Sequence, residues 1–434
     1  MDPVLTGLVG IVLLLLLFTL NMPVSFAMAF VGFTGFGYLV SWEAAVSLLI
    51  RDIFAQLSSY PLNVIVLFVL MGSFAFASGM SSRLYESAYK IAGKMPAGLA
   101  VATILACSGF AAICGSTAAT VATIGRVALP EMRRFGYNHR LATGCIASAG
   151  VIGILIPPST IFIVYGILTE QSIGSLFAAG IVPGVVLTLF FVLTVFFIAF
   201  KNKEIAPSGK ATTIGEKLKA LWRIADIFLL FGLSIGGLFL GWYSPNQAAG
   251  VGAAGALLIG LAHRQLTWQK FINASKEGLR TACMIMMLIA GASVFGKFMA
   301  VTTIPAQLST WVSGLPLPSM GIMALICVMF FVGGCFLDAM ALIMLTIPII
   351  YPVVLDLNYD PVWFGVVIVL ISQIAVVTPP VGVNVYVTKG IVPNVPIAAI
   401  FRGTFPFLVA MFILLVFVLI FPGLILWLPN LLAA

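Results

Sequence analysis

The sequence predicts an all-α polytopic membrane protein made of two inverted-topology repeats, each with a re-entrant helical hairpin and a discontinuous transmembrane helix. Three observations carry this. Of the 434 residues, 62% are hydrophobic and 8% charged, which leaves no material for an ordinary soluble surface. Two proline pairs, Pro157-Pro158 in GILIPPS and Pro379-Pro380 in VVTPPVG, interrupt long apolar stretches 222 residues apart. Each breaks a spanning helix partway across, and lipid cannot satisfy the freed backbone groups, so protein or a polar cavity must surround them. The net charge of +8 is carried by clusters at 83–94, 126–140, 201–223 and 264–280 and by Lys389 with Arg402, leaving only Arg51 and Lys297 elsewhere. That distribution marks cytoplasmic loops and sets orientation, rather than describing a polyanion-binding face; no nucleic-acid partner is expected.

The elements follow in order. Residues 4–20 form a first span and not a signal peptide, because Asp2 precedes them without any basic residue and Asn21-Met22-Pro23 leads into another apolar run. Spans at 26–40 and 61–79 come next, separated by 43–58, where Val46, Leu49, Ile50, Ile53, Phe54 and Leu57 recur at helical spacing opposite Arg51 and Asp52. This amphipathic segment should lie along the membrane surface, as a brace or a plain connector. Residues 97–125 have basic loops at both ends, whereas 318–350 have an uncharged loop at one end and Asp356 and Asp360 at the other. A segment that starts and ends on one side has not crossed, so both read as re-entrant hairpins; a single tilted crossing is the alternative for the first. The broken span 141–169 and a span at 176–200 complete the first half. After the polar segment 201–223, the order repeats at 224–241, 247–262, the amphipathic 265–280, 282–300, the second hairpin, the broken span 361–388 and 403–426. Counting crossings inverts the halves and places both termini in the periplasm. Gly72 pairs with Gly291, Gly115 and Pro130 with Gly333 and Pro348, and Gly180 and Pro183 with Gly403 and Pro406, at offsets of 218 to 223 residues.

The chemistry concentrates at the hairpin tips and proline breaks, an arrangement that points to a transporter's binding site. In the first tip, CGSTAAT, Gly115 permits a turn while Ser116 and Thr117 offer hydroxyls; in the second, GGCFLDAM, Gly333 and Gly334 permit a turn beside Asp338. Asp338 is the one acidic residue deep in an apolar segment, at about 2.5–3.5 kcal/mol if unpaired. Lys297 is the only basic residue placed to neutralise it, so a bound cation is the more economical partner. Carbonyls released at Gly153, Ile156 and Pro158, or at Thr378 and Val381, are hard donors suited to a monovalent ion. Asn384 could donate to an anionic substrate or make an interhelical hydrogen bond. The six cysteines lie in apolar stretches without metal-site spacing and read as small buried hydrophobes.

With GSTAAT, LIPPS, GGCFLDA and TPPVG in two inverted halves, the chain resembles the large membrane subunit of tripartite ATP-independent periplasmic (TRAP) transporters over nearly its whole length. The resemblance implies an elevator-type transporter, not an enzyme, in a bacterial or archaeal inner membrane. Scaffold would cover 1–96, 176–281 and 403–434, and a transport domain 97–175 and 282–402. It implies Na+-coupled uptake of a carboxylate such as a four-carbon dicarboxylate or sialic acid, with a periplasmic substrate-binding protein and a separate four-helix membrane subunit as partners in the lipid bilayer. Carried over residue by residue, one Na+ site falls at Gly115, Ser116, Gly153, Ile156 and Pro158. The other falls at Gly334, Asp338, Thr378 and Val381, with substrate between the tips against Thr117, Pro380 and Asn384. Ala375 stands where a glycine is expected, which puts that carbonyl in doubt. No cationic residue in the expected site identifies the acid. A stand-alone Na+/carboxylate symporter remains the alternative, whereas a channel lacks a continuous polar path and an intramembrane protease lacks a catalytic pair.

Overall fold

Breaks in the apolar pattern set the helix ends. The structure, a computed structural model, describes residues 2–433 except 203, 208, 210, 211 and 315. The first half contains α1 (Pro3–Thr19), α2 (Val24–Leu39), α3 (Trp42–Leu57), α4 (Asn63–Ala77) and α5 (Met80–Ala92). The first hairpin is α6 (Gly98–Cys114) with α7 (Thr117–Arg134), and the broken span is α8 (His139–Ala149), α9 (Ile152–Leu155) and α10 (Thr160–Thr169), followed by α11 (Ile173–Lys201). The second half contains α12 (Ile214–Trp222), then α13 (Ala225–Phe231) and α14 (Gly237–Phe239) joined through a π turn, and α15 (Pro245–Ala262). It continues with α16 (Trp268–Val301), α17 (Ile304–Ser313), the second hairpin α18 (Ser319–Gly334) with α19 (Ala339–Asp356), and the broken span α20 (Pro361–Val376) with α21 (Val383–Ile391). It ends with α22 (Ile397–Ile420) and α23 (Pro422–Ala433). Six stretches among the described residues are long and apolar enough to cross a membrane alone, so the chain is a multi-pass, all-α membrane protein.

Several local expectations are corrected. The amphipathic 265–280 does not form a separate arm: it continues without a break into the next span as the 34-residue α16, because no glycine or proline interrupts 268–277 and Gly278 sits packed against Leu70 and Ser73 of α4. The polar face assigned to α3 also divides. Val46, Ile50 and Phe54 point outward while Asp52 is buried, where it accepts from Lys297 Nζ at 2.6 Å and from the Ser293 hydroxyl at 3.3 Å. Lys297 therefore pairs with Asp52. Segments read as loops at 83–94, 201–223 and 302–316 contain the helices α5, α12 and α17, and the last span ends at Ile420 with Pro422 opening a further helix. Of the cysteines, Cys283 is exposed and Cys114 half-buried.

Close glycine contacts hold the layers together, as expected where lipid removes the hydrophobic drive between helices. A Cβ on Gly32 would stand 2.7 Å from the Phe295 backbone nitrogen, joining α2 to α16, and one on Gly144 would stand 2.1 Å from the Gly403 carbonyl carbon, joining α8 to α22. α20 runs through the centre, buried at every position from 363 to 376. It is tied to the first half by Tyr165, whose hydroxyl donates to the Pro361 carbonyl at 2.6 Å, and to α22 by the Trp363 indole, which donates to the Val418 carbonyl at 2.9 Å.

Candidate functional site

The two hairpin tips are built differently. At the first, Gly115 ends α6 with φ +60°, the left-handed geometry that glycine adopts without strain. Ser116 then caps α7 by accepting from the Ala119 N–H at 3.4 Å. At the second, Gly333 and Gly334 do not make the turn; both remain in α18, and 335–337 turn the chain. Gly334 is needed for space, since a Cβ there would approach the Ala375 methyl to 2.7 Å. Asp338 caps α19, its carboxylate accepting from the Met340 N–H at 3.0 Å. The partner expected of Asp338 is thus partly supplied by the positive end of a helix dipole, not by Lys297.

The first group of candidate oxygens is gathered tightly. A Cβ on Gly115 would lie 2.3 Å from the Pro158 carbonyl oxygen, and one on Gly153 would lie 3.3 Å from the Ser116 carbonyl oxygen and 3.0 Å from Thr120 Oγ1. The Thr160 hydroxyl donates to the Gly115 carbonyl at 3.1 Å, and the Thr120 hydroxyl donates to the Ser116 carbonyl at 2.8 Å. Thr120 and Thr160 join this cluster without having been singled out in the sequence; the one available signal is the four-residue spacing from Ser116 to Thr120, one helical turn. Ile156 ends α9 and packs against Gly184 of α11. The second group is looser: Gly334 meets α20 at Ala375, the Thr378 hydroxyl donates to the Ile374 carbonyl at 2.7 Å, and Val381 and Pro380 are exposed. No hydrogen bond links Asp338 to Thr378 or Val381 among the described residues.

Both tips open on one cavity of about 480 Å³, with Ser116 and Thr117 from the first, Asp338 from the second, and α4 and α16 forming the opposite wall. Along α7, Ala119, Ala122, Thr123 and Arg126 share the face turned to it. Arg126 corrects the expectation that no cation lines the site; it had counted only as one member of a basic cluster. Glu277 and Thr281 face the cavity from α16, and neither the Arg126 guanidinium nor the Glu277 carboxylate has a partner among the described residues. Gln373 on α20 also lines the cavity, fully buried, with both amide atoms unpartnered, a state that costs about 1–3 kcal/mol unless a ligand or water relieves it. Asn384 lies outside the cavity, where its Nδ2 donates to the Ala147 carbonyl at 3.1 Å as an interhelical bond. The donor set at both tips is oxygen, and no group of three or more His, Cys, Asp or Glu that would hold a metal occurs among the described residues.

Comparison with known proteins identifies the family. Residues 11–424 match the family described as the tripartite ATP-independent periplasmic transporter, DctM component. The C4-dicarboxylate TRAP transporter large permease DctM of Pseudomonas aeruginosa is 34% identical, covering 90% of this chain and 91% of that protein. The sialic acid TRAP transporter large permease SiaM of Vibrio cholerae is 30% identical, covering 95% of each. Among solved structures, the YdaH transporter of Alcanivorax borkumensis shares the fold at a TM-score of 0.64 and 15% identity, over 89% of this chain and 90% of that one. The chain therefore belongs to the DctM family of TRAP transporter large membrane subunits.

Proposed function

We propose that this chain carries a small carboxylate inward, driven by Na+, as the large subunit of a three-part system. The observation that carries the reading is the meeting of both hairpin tips at one cavity holding Ser116, Thr117, Asp338 and Arg126. Oxygen donors at Gly115, Ser116, Gly153, Ile156 and Pro158, and at Gly334, Asp338, Thr378 and Val381, suit Na+. Arg126 and the amide ends of α7 and α19 suit an anion. The two relatives named above are permeases for a C4-dicarboxylate and for sialic acid; both cargoes are carboxylates, and the same class is assigned here. The isethionate permease DctMQ of Oleidesulfovibrio alaskensis matches this chain over 56% of its own length, leaving room there for a second subunit. The system includes a small four-helix membrane subunit, substrate arrives from a periplasmic binding protein, and the complex lies in a bacterial or archaeal inner membrane with both termini of this chain periplasmic. The hairpins and broken helices, within 97–175 and 282–402, move as one body against a scaffold of 1–96, 176–281 and 403–434, in the manner of an elevator. Membrane potential adds about 2.3 kcal/mol per net charge per 100 mV.

Uptake of labelled carboxylates into proteoliposomes, with and without a Na+ gradient and with and without loaded binding protein, tests this. Dependence on both is expected. Uptake of free substrate by this chain alone would instead establish a stand-alone symporter, and Na+-independent uptake would remove the coupling.

A further inference from the structure

Gln373 sits where an amide has no structural use. α20 is buried from 363 to 376 and, apart from Ser372 and Gln373, apolar there; Gln373 is among the residues lining the cavity, and its Nε2 and Oε1 are both buried without a partner, as is the neighbouring Ser372 hydroxyl. Orphaned buried amides are rare in native structures and call for an explanation. The repeat sharpens the point. The proline pairs set an offset of 222 residues, which aligns Gln373 with Val151; both are 0% exposed. A position that merely packs a broken helix among its neighbours is filled by an apolar side chain in the first half. The amide in the second half departs from that, so it serves what occupies the cavity, and the occupant is read asymmetrically.

We infer that Gln373 contacts the substrate and determines specificity, selecting carboxylates that carry a hydroxyl or N–H donor beside the carboxylate. The inference rests on the carboxylate-transport reading above. A primary amide is donor and acceptor at once, whereas an ionised carboxylate only accepts. A plain carboxylate satisfies Nε2 and leaves Oε1 orphaned. A hydroxyl or N–H on the neighbouring carbon donates to Oε1 and completes the pair. A site that hydrogen-bonds a substrate hydroxyl rejects the analogue lacking it far more strongly than an apolar pocket discriminates by size.

The test is ligand-induced thermal stabilisation of the complex with its small subunit in detergent, which bypasses the binding protein's own selectivity. Ligands are matched pairs differing by one hydroxyl: malate and succinate, lactate and propionate, gluconate and 2-deoxygluconate, each in Na+ and in K+. In Na+, the hydroxylated member of at least one pair should bind on the order of ten-fold tighter. Gln373→Leu should reduce that preference to within about three-fold by weakening the hydroxylated member alone, and should fold, since it replaces an unpartnered amide with an apolar side chain of similar size. Gln373→Met is the substitute if the leucine variant fails to assemble. A variant that keeps the preference overturns the inference, as does equal binding of both members by the wild type, the result expected if an ion or fixed water satisfies Oε1. If uptake remains Na+-driven under either outcome, the transport reading survives. If no carboxylate stabilises the complex, both fall.

Discussion

Asp338 and Ser116, which both line the cavity, stand out in the sequence because each places oxygen within four residues of a glycine deep in an apolar run, where side chains of that kind are expensive. Arg126, Gln373, Thr120 and Thr160 were not legible as site residues: what distinguishes Arg126 from its neighbours in the basic cluster is the direction in which α7 turns it, toward the cavity. Asp338→Asn is expected to raise the half-saturating Na+ concentration about ten-fold or more, on the scale of a lost charge-assisted ligand, while leaving co-purification of the small subunit unchanged; unchanged Na+ dependence in the uptake assay would remove Asp338 from the ion site. Ser116→Ala should shift it in the same direction by less, since one hydroxyl is lost. Arg126→Ala should raise KM for the carboxylate about ten-fold with little change in kcat if the guanidinium attracts substrate uniformly, and Arg126→Lys should recover part of the loss because the charge remains without the planar fork. Uptake titrations on the four variants separate these outcomes.

At helices and their contacts, the sequence was most informative where proline or glycine interrupts a run and least where an amphipathic pattern continues. The breaks at Pro157-Pro158 and Pro379-Pro380 appear as expected between α9 and α10 and between α20 and α21. The arm and span fused in α16 were read as two because hydrophobic periodicity changes along them, whereas the backbone needs only continued helical hydrogen bonding. The α8–α22 crossing supplies a stability prediction: a Cβ on Gly403 would stand 2.0 Å from the Arg140 carbonyl oxygen. Gly403→Ala should therefore destabilise by about 1–3 kcal/mol through overpacking, read as a lower melting temperature of the purified complex. The α3–α16 ion pair supplies another. Asp52 is 5% exposed at its side chain and Lys297 46%, so Asp52→Ala should cost about 1 kcal/mol after solvent screening, with less than additive loss in the double variant Asp52→Ala, Lys297→Ala. Full additivity in thermal unfolding would mean the pair contributes nothing.

Across the molecule, the repeats share topology but not every contact. Gly72 and Gly291 are repeat equivalents, yet a Cβ on Gly72 would meet Cys114 Cα at the first hairpin tip at 3.2 Å, while one on Gly291 would meet the Ser25 carbonyl oxygen at 2.3 Å. Gly291 thus serves packing between α16 and the first turn of α2, and Gly72 lies where the first tip rests against α4. If the hairpins slide past α4 during transport, Gly72→Cys paired with native Cys114 should be cross-linked by an oxidant and lose uptake, which reductant restores; unaltered uptake in a fully cross-linked sample would exclude that motion. Composition, charge placement and the two proline pairs were enough to establish a multi-pass helical protein with two related halves and broken helices, because each rests on local backbone chemistry or on the solvent that a run of side chains can tolerate. Which oxygens gather, which salt bridge Lys297 joins, and which of Arg126, Gln373 and Asn384 face the cavity were decided only by tertiary structure. Those outcomes depend on helix rotation and on contacts between distant residues, such as Asp52 and Lys297, 245 positions apart, which no local pattern encodes.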